Sequence, residues 1–481
     1  MNQAFFRIPL LVLLLMEAPG RLPAQPLSPV QLAGDYDIFC RALREAHPGL
    51  YRFMPAHEMD QRMRETGDRL VDPMSAVQFY RLLAPVVAGI GCGHTKFHPA
   101  GALTEERLYH YFFDTLGLFP LRLLFGDGRA RVTGTYREGD SPIAVGSELL
   151  AINGRPADSL TAVLFDRIAA DGRVQSARYA ELDDFFPAYY ANLIGNAAVF
   201  ELEYRSPDGS VRTAELPGVS LSEIRRWRNR HRHVAEPNFR LSYPAAGVAL
   251  MRLRAFYPLD PKDNFKGFLQ SAFREIGERQ TEHLIIDLRG NEGGMDRWGA
   301  RLYARLADSS FYYYRSLEIN RKTHSIAPYA RYPRHYGLMK MLVSEKDGRY
   351  YWKHHSNLRR QKPDRNPYAG KVYILMDGRS YSVAAEFCAV ARSQGRAVFI
   401  GEECGGAYSG NNSGTFLIVT LPHSRLELGI PLLGYYMQVE PVNPPDRGVL
   451  PDHEIHPTPG SIGGGRDAVL EYALELIAGG R

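Results

Sequence analysis

From Val248 onward, short apolar runs alternate with stretches of helical periodicity. His283 to Leu288 reads as a buried strand, Trp298 to Ala307 as a helix, Lys371 to Met376 as a strand, Val383 to Arg392 as a helix and Ala397 to Gly401 as a further strand. A strand buried on both faces needs helices on each side, and a parallel neighbour needs a crossover. The alternation therefore restricts this segment to an α/β core with parallel strands. In such sheets function collects beyond the carboxyl ends of the strands, so the turns after Leu288 and Met376 are the places to look.

The preceding chain has other periods. Val30 to Leu43, Ala56 to Leu70 and Ser75 to Ala88 have helical spacing and end in Gly89-Ile90-Gly91-Cys92-Gly93-His94-Thr95, a glycine-rich turn that aims one imidazole. Around Phe119 short strands take over: Pro120 to Phe125, a Gly126-Asp127-Gly128 hairpin signal, Arg129 to Tyr136, then Val145-Gly146-Ser147-Glu148-Leu149-Leu150-Ala151-Ile152-Asn153-Gly154 and a helical stretch from Leu160 to Ala169. This unit resembles a PDZ domain, a module that captures extended peptides at a sheet edge. Ser206 to Pro237 reads as a polar stretch. Residues 311–368, crowded with Tyr, Arg, Lys and His, read mainly as a solvated insertion.

A length of 481 residues suits several compact units, and 45% hydrophobic with 23% charged residues is the balance of a globular protein. The expected division is a signal peptide at 1–24, an N-terminal helical domain at 25–105, a PDZ-like domain at 110–215 and an α/β core at 240–478 carrying a basic, Tyr-rich insertion at 308–370. Arg7 followed by the apolar run Ile8 to Met16 and by Leu22-Pro23-Ala24 has the form of a secretory signal, shorter than a membrane span. Export to a periplasm or the extracellular space is therefore expected, without stable membrane insertion. A net charge of +5 makes no case for nucleic acid. Cys40, Cys92, Cys388 and Cys404 lack metal spacing, and an oxidising compartment would allow three pairings.

Two strand ends carry chemistry. Asp287-Leu288-Arg289-Gly290-Asn291-Glu292-Gly293-Gly294 exposes backbone N–H groups unobstructed by side chains, as an oxyanion hole requires. In Asp377-Gly378-Arg379-Ser380-Tyr381-Ser382-Val383-Ala384-Ala385-Glu386 a serine stands where a strand becomes a helix. Such a serine is commonly a cap; the helix dipole also suits a nucleophile there. With Arg396 to Gly406 and Arg447-Gly448-Val449-Leu450-Pro451-Asp452, these motifs resemble, in order and spacing, the C-terminal-processing and tricorn-like serine peptidases, which have a ClpP/crotonase-like fold.

The resemblance implies Ser382 as nucleophile and Gly293, Gly294 and the Val383 N–H as the oxyanion hole. Processing peptidases carry a lysine base in Gly-Lys-Gly, where this chain has Gly406-Ala407-Tyr408. The tricorn-like branch uses a histidine, matched by His94, although Gly93 replaces the serine beside it. Asp446, or alternatively Glu440, is expected to orient the imidazole. The implied activity is hydrolysis of peptide bonds in polypeptides or peptides without metal or organic cofactor, in a chain free to oligomerise. The alternative is an inactive ligand- or peptide-binding protein on the same scaffold.

Overall fold

The computed structural model describes residues 25–99, 117–231, 236–442, 444–456 and 466–480; the expected signal segment lies outside them. The amino-terminal part contains α1 (Pro29–Ala46), α2 (Ala56–Gly67), α3 (Ala76–Gly89) and β1 (Lys96–Pro99). Ser28 with Gln31 and Ser75 with Gln78 form reciprocal capping boxes, which satisfy backbone donors where α1 and α3 begin. No helix among the described residues is long and apolar enough to cross a membrane.

Next come β2 (Leu121–Gly126), β3 (Arg129–Thr135), β4 (Glu148–Ile152), β5 (Arg155–Pro156), α4 (Ala157–Phe165), α5 (Gln175–Leu193), β6 (Val199–Arg205), β7 (Val211–Pro217) and α6 (Leu221–Arg230). The sheet runs β2-β3-β4-β6-β7, with β5 beside β4, and all its pairs are antiparallel. The stretch read as merely polar, 206–237, thus supplies β7 and α6. The long helix α5 was not anticipated, and it covers the edge of β2. Asp183 accepts the Phe125 N–H at 2.6 Å, Tyr179 accepts the Gly128 N–H at 3.0 Å, and Phe186 and Tyr190 pack on Phe119.

The remaining elements are β8 (Phe239–Ala245), β9 (Val248–Leu253), α7 (Phe265–Glu278), β10 (His283–Asp287), α8 (Asp296–Ala304), β11 (Tyr314–Ile319), β12 (Ala330–Arg331), α9 (Tyr336–Met341), β13 (Val343–Lys346), β14 (Arg349–Trp352), β15 (Lys371–Met376), α10 (Val383–Ser393), β16 (Val398–Gly401), β17 (Asn412–Thr420), β18 (Leu426–Met437), β19 (His453–Glu454) and α11 (Ala468–Gly479). One sheet runs β19-β16-β15-β10-β9-β8, with only β8 antiparallel. Its residues alternate between two apolar layers. Val248, Leu250, Ile285, Leu375 and Ile400 meet Val469, Ala473 and Ile477 of α11, while Met251, Ile286, Ile374 and Phe399 join the main core.

The expected solvated insertion is instead structural. It supplies β11 to β14 to a seven-stranded antiparallel sheet with β17 and β18, and β1 from the amino-terminal part pairs on β18 as well. Tyr313 and Tyr314 are buried to 0% and 1% exposure. Tyr314 meets the cost of burial by donating its hydroxyl to Glu386 at 2.6 Å, whereas the Tyr313 hydroxyl has no partner among the described residues.

Candidate active site

β10 and β15 are parallel neighbours with Asp287 opposite Leu375, so the turns following them leave the sheet side by side. They are laced together. Tyr381 N–H donates to Asn291 O at 3.0 Å, Ser380 Oγ donates to Leu288 O at 2.9 Å, and Gly290 N–H donates to the Asp377 carboxylate at 3.0 Å. Burial pushes the Asp377 carboxyl up, partly offset by that N–H.

Ser382 lies at φ 54, ψ −121, between β15 and the buried helix α10. A non-glycine residue at such angles carries about 1–3 kcal/mol of strain. A strained serine on a sharp strand-to-helix turn is also the arrangement that thrusts a nucleophilic hydroxyl clear of the sheet. Ser382 makes no side-chain capping bond, so the cap reading does not describe it. A Cβ on Gly293 would stand 2.7 Å from both Ser382 Cβ and Val383 N, which demands glycine there.

The Gly293 N–H is taken by Asn291 Oδ1 at 2.9 Å. The N–H groups of Gly294 and Val383 have no hydrogen-bond partner among the described residues. Of the three expected oxyanion-hole positions, these two keep a donor for a ligand oxygen.

His94 sits in the turn between α3 and β1, half-buried, with its ring stacked on Tyr381 at 4.8 Å between centroids. Its Nδ1 is 2.9 Å from the Tyr381 hydroxyl, which also reaches Asp171 Oδ1 at 3.1 Å. Loss of water around the ring, and then the Lys96 ammonium, push its pKa down to about 3, so the imidazole is neutral near pH 7. Among the described residues no hydrogen bond joins His94 to Ser382. Gly93 is required because a Cβ there would meet the Tyr381 hydroxyl at 2.5 Å. His94, Tyr381 and Gly378 face a cavity of about 280 Å³ that is also lined by Val87 of α3 and Ala177 of α5.

The expected orienting carboxylates are elsewhere. Asp446 is paired with Arg173, with a second bond at 3.2 Å. Glu440 is exposed, its N–H on Ser393 Oγ at the far end of α10. The buried carboxylate that does reach this corner is Asp171. It accepts from Gly93 N–H at 2.9 Å, from Tyr381 and from Ala407 N–H at 3.4 Å. Neither Asp171 nor Tyr381 was anticipated. Asp171-Gly172 resembles any turn, and only its approach to Gly91 and Gly93 in space gives it meaning. All four cysteines are buried and unbridged.

Residues 247–455 match the model of peptidase family S41. No curated protein matches the chain. Among solved structures, mature CPAF is similar over 92% of this chain and 96% of that chain, at 15% identity and a TM-score of 0.60. Mature CPAF complexed with lactacystin is similar over 93% and 98%, at 14% identity and a TM-score of 0.61. At such identity the likeness is one of fold.

Proposed function

Starting from a core, residues 247–455, that matches the model of peptidase family S41, we propose that this chain is an exported serine-type endopeptidase acting on polypeptides or peptides, with Ser382 as nucleophile and His94 as base. The observation that carries this reading is the strained Ser382 at the head of α10, beside two unpartnered N–H groups. Ser382 Oγ attacks the scissile carbonyl and passes its proton to His94 Nε2. Gly294 and Val383 N–H hold the oxyanion. Collapse of the tetrahedral intermediate breaks the C–N bond as the amine takes the proton from His94, and water then releases the acyl group by the same steps in reverse order. For direct proton transfer the two side chains must close up from this resting arrangement, a tightening expected on forming the substrate complex.

The unit from β2 to β7 is read as PDZ-like. Its β2 edge is covered by α5, so α5 must shift before a peptide can add there. The same helix holds the nucleophile turn: Glu181 pairs with Arg379 at 3.2 Å, and Ala180 O accepts from it at 2.8 Å. This helix ties the module to the catalytic turn. The absent Ser382–His94 bond favours, as a second reading, an inactive binding protein. Labelling with a fluorophosphonate separates them: stoichiometric modification mapped to Ser382, lost in Ser382→Ala, supports the peptidase, whereas folded protein that stays unlabelled supports the binder.

A further inference from the structure

A histidine can act as general base only if one ring nitrogen keeps its lone pair and the other is held protonated, and what selects the tautomer is the partner of the second nitrogen. At His94 that partner is a tyrosine hydroxyl, which could either donate or accept. The tyrosine's other neighbour decides. Asp171 is surrounded by donors: Gly93 N–H at 2.9 Å, Ala407 N–H at 3.4 Å and the Tyr381 hydroxyl at 3.1 Å. Burial pushes the Asp171 carboxyl up and these three donors pull it back down; as a carboxylate it accepts and does not donate, so the single hydroxyl proton of Tyr381 is committed to Asp171. The phenolic oxygen must then accept from His94, which requires Nδ1–H and leaves Nε2 bare.

We propose that Tyr381 and Asp171 are positioning residues that hold His94 as its Nδ1–H tautomer, with the tyrosine hydroxyl interposed between carboxylate and imidazole. Two other histidines show what the arrangement achieves. His47 has Nε2 on Thr95 Oγ1 at 2.8 Å and Nδ1 accepting from Gly49 N–H at 3.1 Å. His355 has Nε2 on Asp296 at 2.9 Å and Nδ1 accepting from Asn357 N–H at 3.2 Å. Both rings are saturated. For His94 Nε2 no partner occurs among the described residues. The neighbourhood is also built for the tyrosine: Gly93 makes room for its hydroxyl, and Asn291 O fixes its backbone.

The inference rests on the proposed role of His94 as base, and the test reads it independently of turnover. Tyr381→Phe keeps the stacked ring and deletes only the hydroxyl. Long-range ¹H–¹⁵N spectra of histidine-labelled full-length protein, with the His94 signals assigned by their loss in His94→Gln, should show a single Nδ1–H tautomer in the wild type and a mixture in Tyr381→Phe. Fluorophosphonate labelling of Ser382 should slow by roughly tenfold or more in that variant, with kcat lowered and KM nearly unchanged. Cooperative unfolding of the variant checks that it folds. A wild-type ring carrying its proton on Nε2, or a spectrum unaltered by Tyr381→Phe, overturns the proposal even if Ser382 reacts. A single Nδ1–H tautomer that mixes in Tyr381→Phe supports the positioning chain even if Ser382 proves inert, in which case it is the peptidase reading that fails.

Discussion

Two acid–imidazole corners lie near the head of α10, and they differ in how the acid is connected. In one, His355 from the insertion touches Asp296 directly, and Tyr314 donates to Glu386 at 2.6 Å. In the other, His94 reaches Asp171 only through Tyr381. Direct contact with a carboxylate would nominate His355. Yet its second nitrogen is occupied by Asn357 N–H, so the ring braces the insertion against α8 and has no vacant lone pair. In the proposed mechanism, availability of the second nitrogen, more than proximity to an acid, is what sets His94 apart from a strut such as His355.

The largest expected effect is at the residue both corners flank. Ser382→Ala should abolish turnover and labelling, and Ser382→Gly should do so while raising stability by about 1 kcal/mol, because glycine relieves the positive φ. Thermal unfolding of the three proteins checks this; a Gly variant less stable than the Ala variant would remove the strain argument. Next, His94→Ala should lower kcat by about 10²–10⁴ with little change in KM. His355→Ala should leave kcat within a few-fold and instead lower stability, by stranding Asp296. Equal kinetic losses in the two variants would erase the distinction between the corners.

The pH profile sharpens it further. With the His94 pKa pushed down to about 3, kcat/KM should stay level as pH falls through 6.5, where a free imidazole would already lose activity. An acid limb centred at 6.5 would show an unperturbed ring. Stability behaves differently over the same window. The buried His47 also has its pKa pushed down to about 3 by burial, whereas the unfolded chain takes up that proton near pH 6.5. The unfolded state binds more protons between those values, so stability falls with decreasing pH by about 1.4 kcal/mol per unit from this group alone. Urea titrations at pH 7.5 and 5.5 measure the total, and His47→Gln should lower the slope by about this amount while leaving the like contribution of His94. Smallest of all, Ser380→Ala should cost about 1 kcal/mol through the lost bond to Leu288 O, leaving labelling of Ser382 in place.

Local signals marked much of the core. Buried apolar runs announced β10 and β15, small residues announced a helix that can lie buried, and glycines marked Gly293 and Gly93, where backbones and hydroxyls approach too closely for a Cβ. The Asp208-Gly209 turn could have revealed the β6–β7 hairpin, since Asp-Gly between alternating residues is a hairpin signal. Helix α5 was harder to see, because it is apolar on no clean stripe, breaks helical geometry at Phe185 and contains Pro187.

What the chain's order of residues determined alone was that Gly293, Gly294 and Ser382 stand in the turns that follow two neighbouring strands, because period, glycine and chain adjacency are local properties. What only the tertiary structure decided was the company His94 keeps. Asp171 and Tyr381 lie 77 and 287 positions from it, as follows from their numbers, and a hydrogen bond is indifferent to sequence separation. Asp446 was drawn instead to Arg173, because a guanidinium in bidentate reach binds a carboxylate more strongly than a neutral imidazole does.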